Sequence, residues 1–176
     1  SPINHITRTD DSLKRRTETV GRAMPWVEIK IVDQDGHVVP VGEKGEICTR
    51  GYSVMQGYWD DPVKTAETID PSGWLHSGDL ATMDDCGYVK IVGRIKDMII
   101  RGGENHFPAE IENALLEHPT VAEVAVVGLP DPKWGEVIGA FVRTVGDEPI
   151  DTDALRAHCR EVLSPQKTPS VWEQLK

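Results

Sequence analysis

Asp79-Leu80-Ala81-Thr82-Met83-Asp84-Asp85-Cys86-Gly87-Tyr88-Val89-Lys90-Ile91-Val92-Gly93-Arg94 reads as two strands folded about a glycine turn. Apolar and polar residues alternate on both sides of Asp85-Cys86-Gly87, the pattern of a half-buried hairpin. If Cys86-Gly87 is a two-residue loop, Asp85 faces Tyr88, Met83 faces Lys90 and Ala81 faces Val92. The same register sets Asp79 against Arg94 at the open end, with Cβ atoms about 5 Å apart. A three-residue bulged loop would shift the register and break that pairing.

Upstream, Trp26-Val27-Glu28-Ile29-Lys30-Ile31-Val32 alternates in the same way. Asp33-Gln34-Asp35-Gly36 supplies a turn, and His37-Val38-Val39 can return as a partner that Pro40 ends. Gly45-Glu46-Ile47-Cys48-Thr49-Arg50-Gly51 is a further short strand. Asp61-Pro62 opens a helix through Ile69, with Pro62 in the first turn, where its missing N–H costs nothing. Residues 20–94 therefore read as a small all-β unit, a curled sheet or β-barrel-like subdomain. Residues 1–19 are polar and without period; they read as loop, and Lys14-Arg15-Arg16 as a solvated face.

Past Arg94 the rhythm becomes α+β. Met98-Ile99-Ile100 is a short strand, and Gly102-Gly103-Glu104-Asn105 a turn. Pro108 starts a helix with Glu110 near its positive end and Ile111, Ala114 and Leu115 as its apolar stripe. Residues 121–127 and 137–142 read as two more strands. A helix from Thr152 sets Leu155, Cys159, Val162 and Leu163 on one face. The expected fold class is thus α+β: a small β-barrel-like subdomain, then a small α+β domain with a three-stranded sheet and helices. The boundary falls at Ile95-Lys96-Asp97.

Composition narrows the function. The chain has 176 residues, 39% apolar and 27% charged, which suits one domain or two small ones and argues against wholesale disorder. Nineteen Lys and Arg face 29 Asp and Glu, a net charge of −10 that repels a phosphate backbone, so no nucleic acid is expected as a partner. Cys48, Cys86 and Cys159 are an odd, widely spaced set with no CxxC; they fit neither a disulfide framework nor a zinc site and point to a reducing, cytoplasmic setting. No run is long and apolar enough for a transmembrane segment. There is no GxxxxGK[ST], HExxH, GxSxG or GxGxxG, and the six histidines show no metal-binding spacing, so no metal is assigned to the chain. The sequence does not fix an oligomeric state.

Three places remain for chemistry. Asp79 beside Arg94 suits a ribose diol with a phosphate nearby, and equally an ordinary cross-strand ion pair. Gly102-Gly103 lets the backbone approach a ligand closely, or simply makes a tight turn. Trp134, in Asp131-Pro132-Lys133-Trp134-Gly135-Glu136, either stacks on an adenine or caps the local core.

At these residues the chain resembles the adenylate-forming (AMP-binding) superfamily, specifically its acyl-CoA synthetases (fatty-acid–CoA ligases). Gly45-Glu46-Ile47 through Gly51, with Gln56-Gly57-Tyr58-Trp59, is similar to the family's GE(I/L)xxxG…GY motif. Gly73-Trp74-Leu75-His76-Ser77-Gly78-Asp79 is similar to its GWxxTGD element, with Ser77 in place of the usual Thr. Gly93-Arg94-Ile95-Lys96-Asp97-Met98-Ile99, Gly103-Glu104-Asn105 and Pro108-Ala109-Glu110-Ile111-Glu112 resemble its hinge region.

The resemblance implies a two-step ligase. ATP, with Mg²⁺, and a carboxylic acid (a fatty acid is expected) give an acyl-adenylate; the CoA thiol then displaces AMP. It assigns Asp79 and Arg94 to ATP/AMP, Lys96 to the hinge on which a small C-terminal domain swings, and Gly102, Gly103, Glu104, Asn105 and Trp134 to the CoA channel. Residues 1–94 become the last β subdomain of the large N-terminal domain, 95–97 the hinge, and 98–176 the mobile C-terminal domain. The family's phosphate loop and YGxTE motif would precede Ser1-Pro2. Its adenylation lysine would follow Lys167-Thr168-Pro169-Ser170-Val171-Trp172, and Lys176 lies too close to be it. The expectation is therefore a fragment, inactive alone. A rival reading is a non-catalytic binding module, or an adenylation domain of another branch.

Overall fold

The computed structural model of the chain describes residues 3–175, apart from the side chain of Asp147. The chain divides into two compact units, Ser1–Ile95 and Lys96–Lys176. Readings that rest on Ser1, Pro2 and Lys176 fall outside the described residues.

In the first unit, strand β1 (His5–Ile6), helix α1 (Leu13–Glu18) and strand β2 (Arg22–Ala23) precede the main sheet, with β1 and β2 paired antiparallel. Residues 13–18, expected as loop, form a helix because the Ser12 side chain accepts the Arg15 N–H at its start. Its basic run is also less free than expected. The Arg15 guanidinium lies 4.1 Å from the Tyr88 ring centre and 3.8 Å from Asp84.

The main sheet comprises β3 (Val27–Val32), β4 (Gly45–Gly51), β5 (Leu75–Met83) and β6 (Val89–Arg94), antiparallel and in that order. Helix α2 (Pro62–Thr68) sits between β4 and β5 in the chain, capped by Asp61. The sheet does not close, which corrects the barrel-like expectation. His37-Val38-Val39 makes a single bridge, Val32 to Val38, instead of a strand, and four strands are far short of a packed barrel. Val20 and Gly21 bond Val89 and cover one end of the β6 edge. Ile31, Ile47, Ala81 and Val89 form the core.

The second unit is built on β10. Strands β7 (Ile99–Arg101), β8 (Glu104–His106), β9 (Val121–Asp131), β10 (Gly135–Thr144) and β11 (Val171–Gln174) make one sheet. β9 pairs antiparallel along the whole of β10, β11 pairs parallel with it, and β7 joins it at Gly135 while also pairing with β8. Five strands replace the expected three. Glu104-Asn105, read as turn, continues as β8, and the polar alternation of Val171-Trp172-Glu173-Gln174 is a strand after all.

Helices α3 (Pro108–Leu116) and α4 (Thr152–Val162) contribute Ile111, Leu115, Leu155 and Cys159 to a core shared with Ile99, Val126, Ile138 and Val142. Val162, expected on the buried face, is 49% exposed; α4 ends there and Leu163 packs against the core instead. Glu112 Oε1 accepts the Val126 N–H at 2.9 Å, tying α3 to the sheet.

Ile138 is fully buried at the middle of this core. Ile138→Ala should therefore cost about 2–5 kcal/mol by lost transfer energy plus the cavity left behind. Denaturant unfolding followed by circular dichroism checks this, and a loss below about 1 kcal/mol would show that the site collapses around the smaller side chain.

Candidate functional site

Between β4 and β5 the ladder opens. Glu46 pairs with Leu80 and Cys48 with His76, so Ser77-Gly78-Asp79 stands opposite Ile47 alone. Such a bulge leaves backbone groups without ladder partners, and side chains replace them. Ser77 Oγ donates to the Ile47 carbonyl at 2.7 Å, and the Gly78 N–H donates to Glu46 Oε1 at 2.8 Å. The Asp79 N–H then donates to Ser77 Oγ at 3.0 Å. Asp79 is thus carried on a strap fixed from both sides.

On the other side of β5, Asp79 pairs with Arg94, as the sequence register required, but by a different route. The turn is not the two-residue loop. Met83 pairs with Val89, the Asp84 N–H bonds the Tyr88 carbonyl, and Gly87 takes φ +79°. That three-residue loop alone would have displaced Asp79 from Arg94. A second irregularity, with Ala81 against Ile91 but Leu80 against Gly93, loops out Val92 and restores the pairing. Arg94 Nε donates to Asp79 Oδ1 at 3.0 Å, and Oδ2 makes no hydrogen bond among the described residues. The Asp79 side chain is 32% exposed and that of Arg94 58%, so the pair itself adds only about 0–1 kcal/mol. What it provides is a fixed carboxylate and a guanidinium with spare N–H groups.

Behind the strap lies a cluster for which the sequence reading assigned no role. His76 Nδ1 donates to Glu46 Oε2 at 2.8 Å, Cys48 Sγ lies 3.5 Å from the same nitrogen, and Asp70 Oδ2 is 4.0 Å from Nε2. Burial, reinforced by the Glu46 carboxylate, pushes the Cys48 thiol up to about 12. The clue available in sequence was that Glu46, Cys48 and His76 lie in two facing motifs. A cavity of about 400 Å³ in this unit, lined by His5, Arg8, Arg22 and Met83 among others, includes neither Asp79 nor Arg94.

The second unit gathers three of the five residues assigned to a CoA channel. Gly102, Glu104 and Trp134 line a cleft of about 360 Å³ with Arg101, His106 and Gln166. The Gly102 N–H donates to the Trp134 carbonyl at 2.8 Å. A Cβ on residue 102 would stand 2.9 Å from Trp134 Cε3, and φ there is +59°, so glycine is required on both counts. Lys133 Nζ lies 4.6 Å from the indole centre. Gly103 and Asn105 are on the same hairpin but do not line the cleft. Lys96 is exposed in a single 3₁₀ turn, Ile95–Asp97, rather than within a continuing strand.

Comparison with known proteins places these features in a family. The model of the AMP-binding enzyme matches residues 2–59, and that of the AMP-binding enzyme C-terminal domain matches residues 110–175. This chain belongs to the AMP-binding enzymes. Among curated AMP-binding relatives, the acyl-CoA ligase sidI of Aspergillus fumigatus is 48% identical over 98% of the chain and 30% of its own length. The medium-chain acyl-CoA ligase ACSF2, mitochondrial, of Bos taurus is 45% identical over 96% of the chain and 28% of its own. Of solved structures, the amide bond synthetase McbA of Marinactinospora thermotolerans superposes with a TM-score of 0.82 at 38% identity, covering 90% of this chain and 32% of that one. The chain thus spans a little under a third of the length of these relatives. No helix among the described residues is long and apolar enough to cross a membrane.

His106 gives the cleft of this AMP-binding enzyme a pH response. Its ring is buried, neither nitrogen has a hydrogen-bond partner among the described residues, and Glu104 Oε2 stands 3.9 Å from Nε2. Burial holds its pKa below the usual histidine value, with Glu104 opposing. The unfolded chain then binds the proton more readily, so stability present above about pH 6.5 is lost as pH falls through the folded value. Unfolding from about pH 7 to about pH 5 should show a shallower loss in His106→Phe than in the parent chain. Identical slopes would remove the assignment.

Proposed function

We propose that this chain is the part of an ATP-dependent acyl-CoA ligase that grips the nucleotide ribose through Asp79 and Arg94 and carries the hinge and CoA-facing loop. The observation that carries the reading is Asp79, held on its strap with Oδ2 uncommitted and a guanidinium beside it. A carboxylate accepting two vicinal hydroxyls, next to a phosphate-compatible cation, is how a nucleotide ribose is held. An exposed ion pair of little energetic worth needs no such scaffold.

In this reading the carboxylic acid, fatty by expectation, reacts with ATP to give acyl-adenylate and pyrophosphate, and the CoA thiol then displaces AMP. Lys96 is the hinge between the two half-reactions: exposed, in one 3₁₀ turn, and free to change ψ. The cleft of Gly102, Glu104 and Trp134 faces CoA, its flat indole and close backbone suiting a slender thiol arm. Mg²⁺ would accompany the ATP phosphates. Among the described residues, neither close grouping of ligand side chains includes Asp79 or Arg94, so no oxygen cage for that ion is assigned at the ribose carboxylate and no step is drawn through it. The 176 residues alone are expected to be inactive, since positioning and charge stabilisation are shared with residues they do not contain. Three free cysteines support a reducing compartment, the cytoplasm, although one relative carries a mitochondrial name.

A second reading, transfer of the activated acyl group to an amine, is favoured by the likeness to an amide bond synthetase. The acceptor decides between them. Hydroxylamine or amine trapping that outpaces thioester formation at equal activation would select the second.

Two substitutions in the whole enzyme test the first reading. Asp79→Ala should lower kcat/KM for ATP roughly tenfold to a hundredfold, the loss of charge-assisted hydrogen bonds worth about 1.5–3 kcal/mol. Unchanged pyrophosphate exchange would return Asp79 to a plain ion pair. Lys96→Pro fixes φ near about −65° and restricts Ile95 too. It should impair thioester formation much more than adenylation, and equal losses in both steps would discard the hinge.

A further inference from the structure

The geometry points to a soft divalent-metal site, of the Zn²⁺ class, formed by Glu46, Cys48 and His76 behind the Asp79 strap. The three ligand atoms, one carboxylate oxygen, one sulfur and one imidazole nitrogen, all lie within 4.8 Å of one another. A tetrahedral ion holding nitrogen at about 2.0 Å and sulfur at about 2.3 Å sets those two atoms about 3.5 Å apart. Cys48 Sγ and His76 Nδ1 are separated by 3.5 Å. Glu46 Oε2, now 2.8 Å from Nδ1, needs to retreat only to about 3.3 Å, the corresponding nitrogen–oxygen spacing.

The surroundings are those a metal-bound histidine uses. Imidazole ligands commonly present the other ring nitrogen to a carboxylate; Asp70 Oδ2 stands 4.0 Å from Nε2, beyond a hydrogen bond, and would close by about 1 Å to take that place. Asp70 is held in place by the Ser72 and Trp74 amides. The second Glu46 oxygen is held by Gly78 N–H, so the ligating carboxylate is also oriented. Cys48 is fully buried while the His76 side chain is 34% exposed, which leaves one side open for entry and for a fourth ligand from water. A sulfur, nitrogen and oxygen set selects zinc-class ions over Mg²⁺ or Ca²⁺. The other close grouping, Asp33, Asp35 and His37, is wholly exposed, and Asp33 Oδ1 is spent on the Asp35 and His37 amides. Because Glu46 also anchors Gly78, a bound ion would stiffen the strap that carries Asp79.

Binding replaces the thiol proton with a metal bond and leaves the imidazole neutral, its proton moved from Nδ1 to Nε2 on the Asp70 side, so one proton is released to water and affinity rises with pH. The test is a Co²⁺ titration of the 176-residue chain bearing Cys86→Ser, which removes the exposed thiol. One equivalent should produce thiolate-to-cobalt charge-transfer absorption with intense visible bands of a four-coordinate ion, and Zn²⁺ should displace it. Cys48→Ser should abolish the charge-transfer band. Asp70→Asn, which still accepts the Ser72 and Trp74 amides, should weaken binding roughly tenfold to a hundredfold. Absence of charge-transfer absorption in a chain folded by circular dichroism would overturn the site, as would a band that survives Cys48→Ser. The readout needs no ligase activity, so it stands or falls apart from the nucleotide reading.

Discussion

A backbone N–H and C=O taken out of a β-ladder must find other partners, and the first unit is organised around meeting that demand at one place. Where β5 bulges away from β4, the Gly78 amide is taken by Glu46 and the Ile47 carbonyl by Ser77. Two side chains from facing motifs thereby stand in for lost ladder bonds, and the strap between them gains a fixed shape. A hydroxyl is all that position 77 contributes to this, and serine supplies it. The bulge is also what frees Asp79 from the alternation of its strand, so that its carboxylate can be aimed by the strap rather than by the pleat.

How far the site could be read from sequence follows from the same geometry. The pairing of Asp79 with Arg94 was legible, but the two-residue turn that predicts it does not form. The turn holds three residues, not two, and the displaced register is recovered because Val92 loops out on β6. Strand alternation carries no mark of either irregularity, since each costs the pattern one residue and together they cancel. Residues such as Val27, Ile31 and Ile47 were placed correctly because period-two burial is a local signal. The sheet stays open because His37-Val38-Val39 makes one bridge to Val32 and is not extended into a further strand.

In the second unit the two missed strands differ in cause. Glu104-Asn105-His106 is polar but pairs locally with β7 across the two-residue Gly102-Gly103 turn, a Gly-Gly hairpin signal that its polarity hid. Val171-Trp172-Glu173-Gln174 is placed by pairing with the distant β10, which no local pattern marks. The two helices were legible in full because Ile111, Ala114 and Leu115, then Leu155 and Cys159, recur at helical spacing. Val162 shows the limit of that rule, for a periodic stripe extends only as far as the surface it packs on. Glu104 and Trp134, far apart in sequence, meet in one cleft through the β9–β10 hairpin, a proximity that only the fold reveals.

The contact between Gly102 and Trp134 carries a consequence for descent. A Cβ at 102 would stand 2.9 Å from the indole, so no side chain can be added at 102 while Trp134 stays as it is. A lineage that acquires a side chain at 102 has to give up the indole at 134 in the same step or pass through a misfitting ancestor. Drift at position 102 is in this sense held back by a residue 32 places further along the chain as well as by its own backbone.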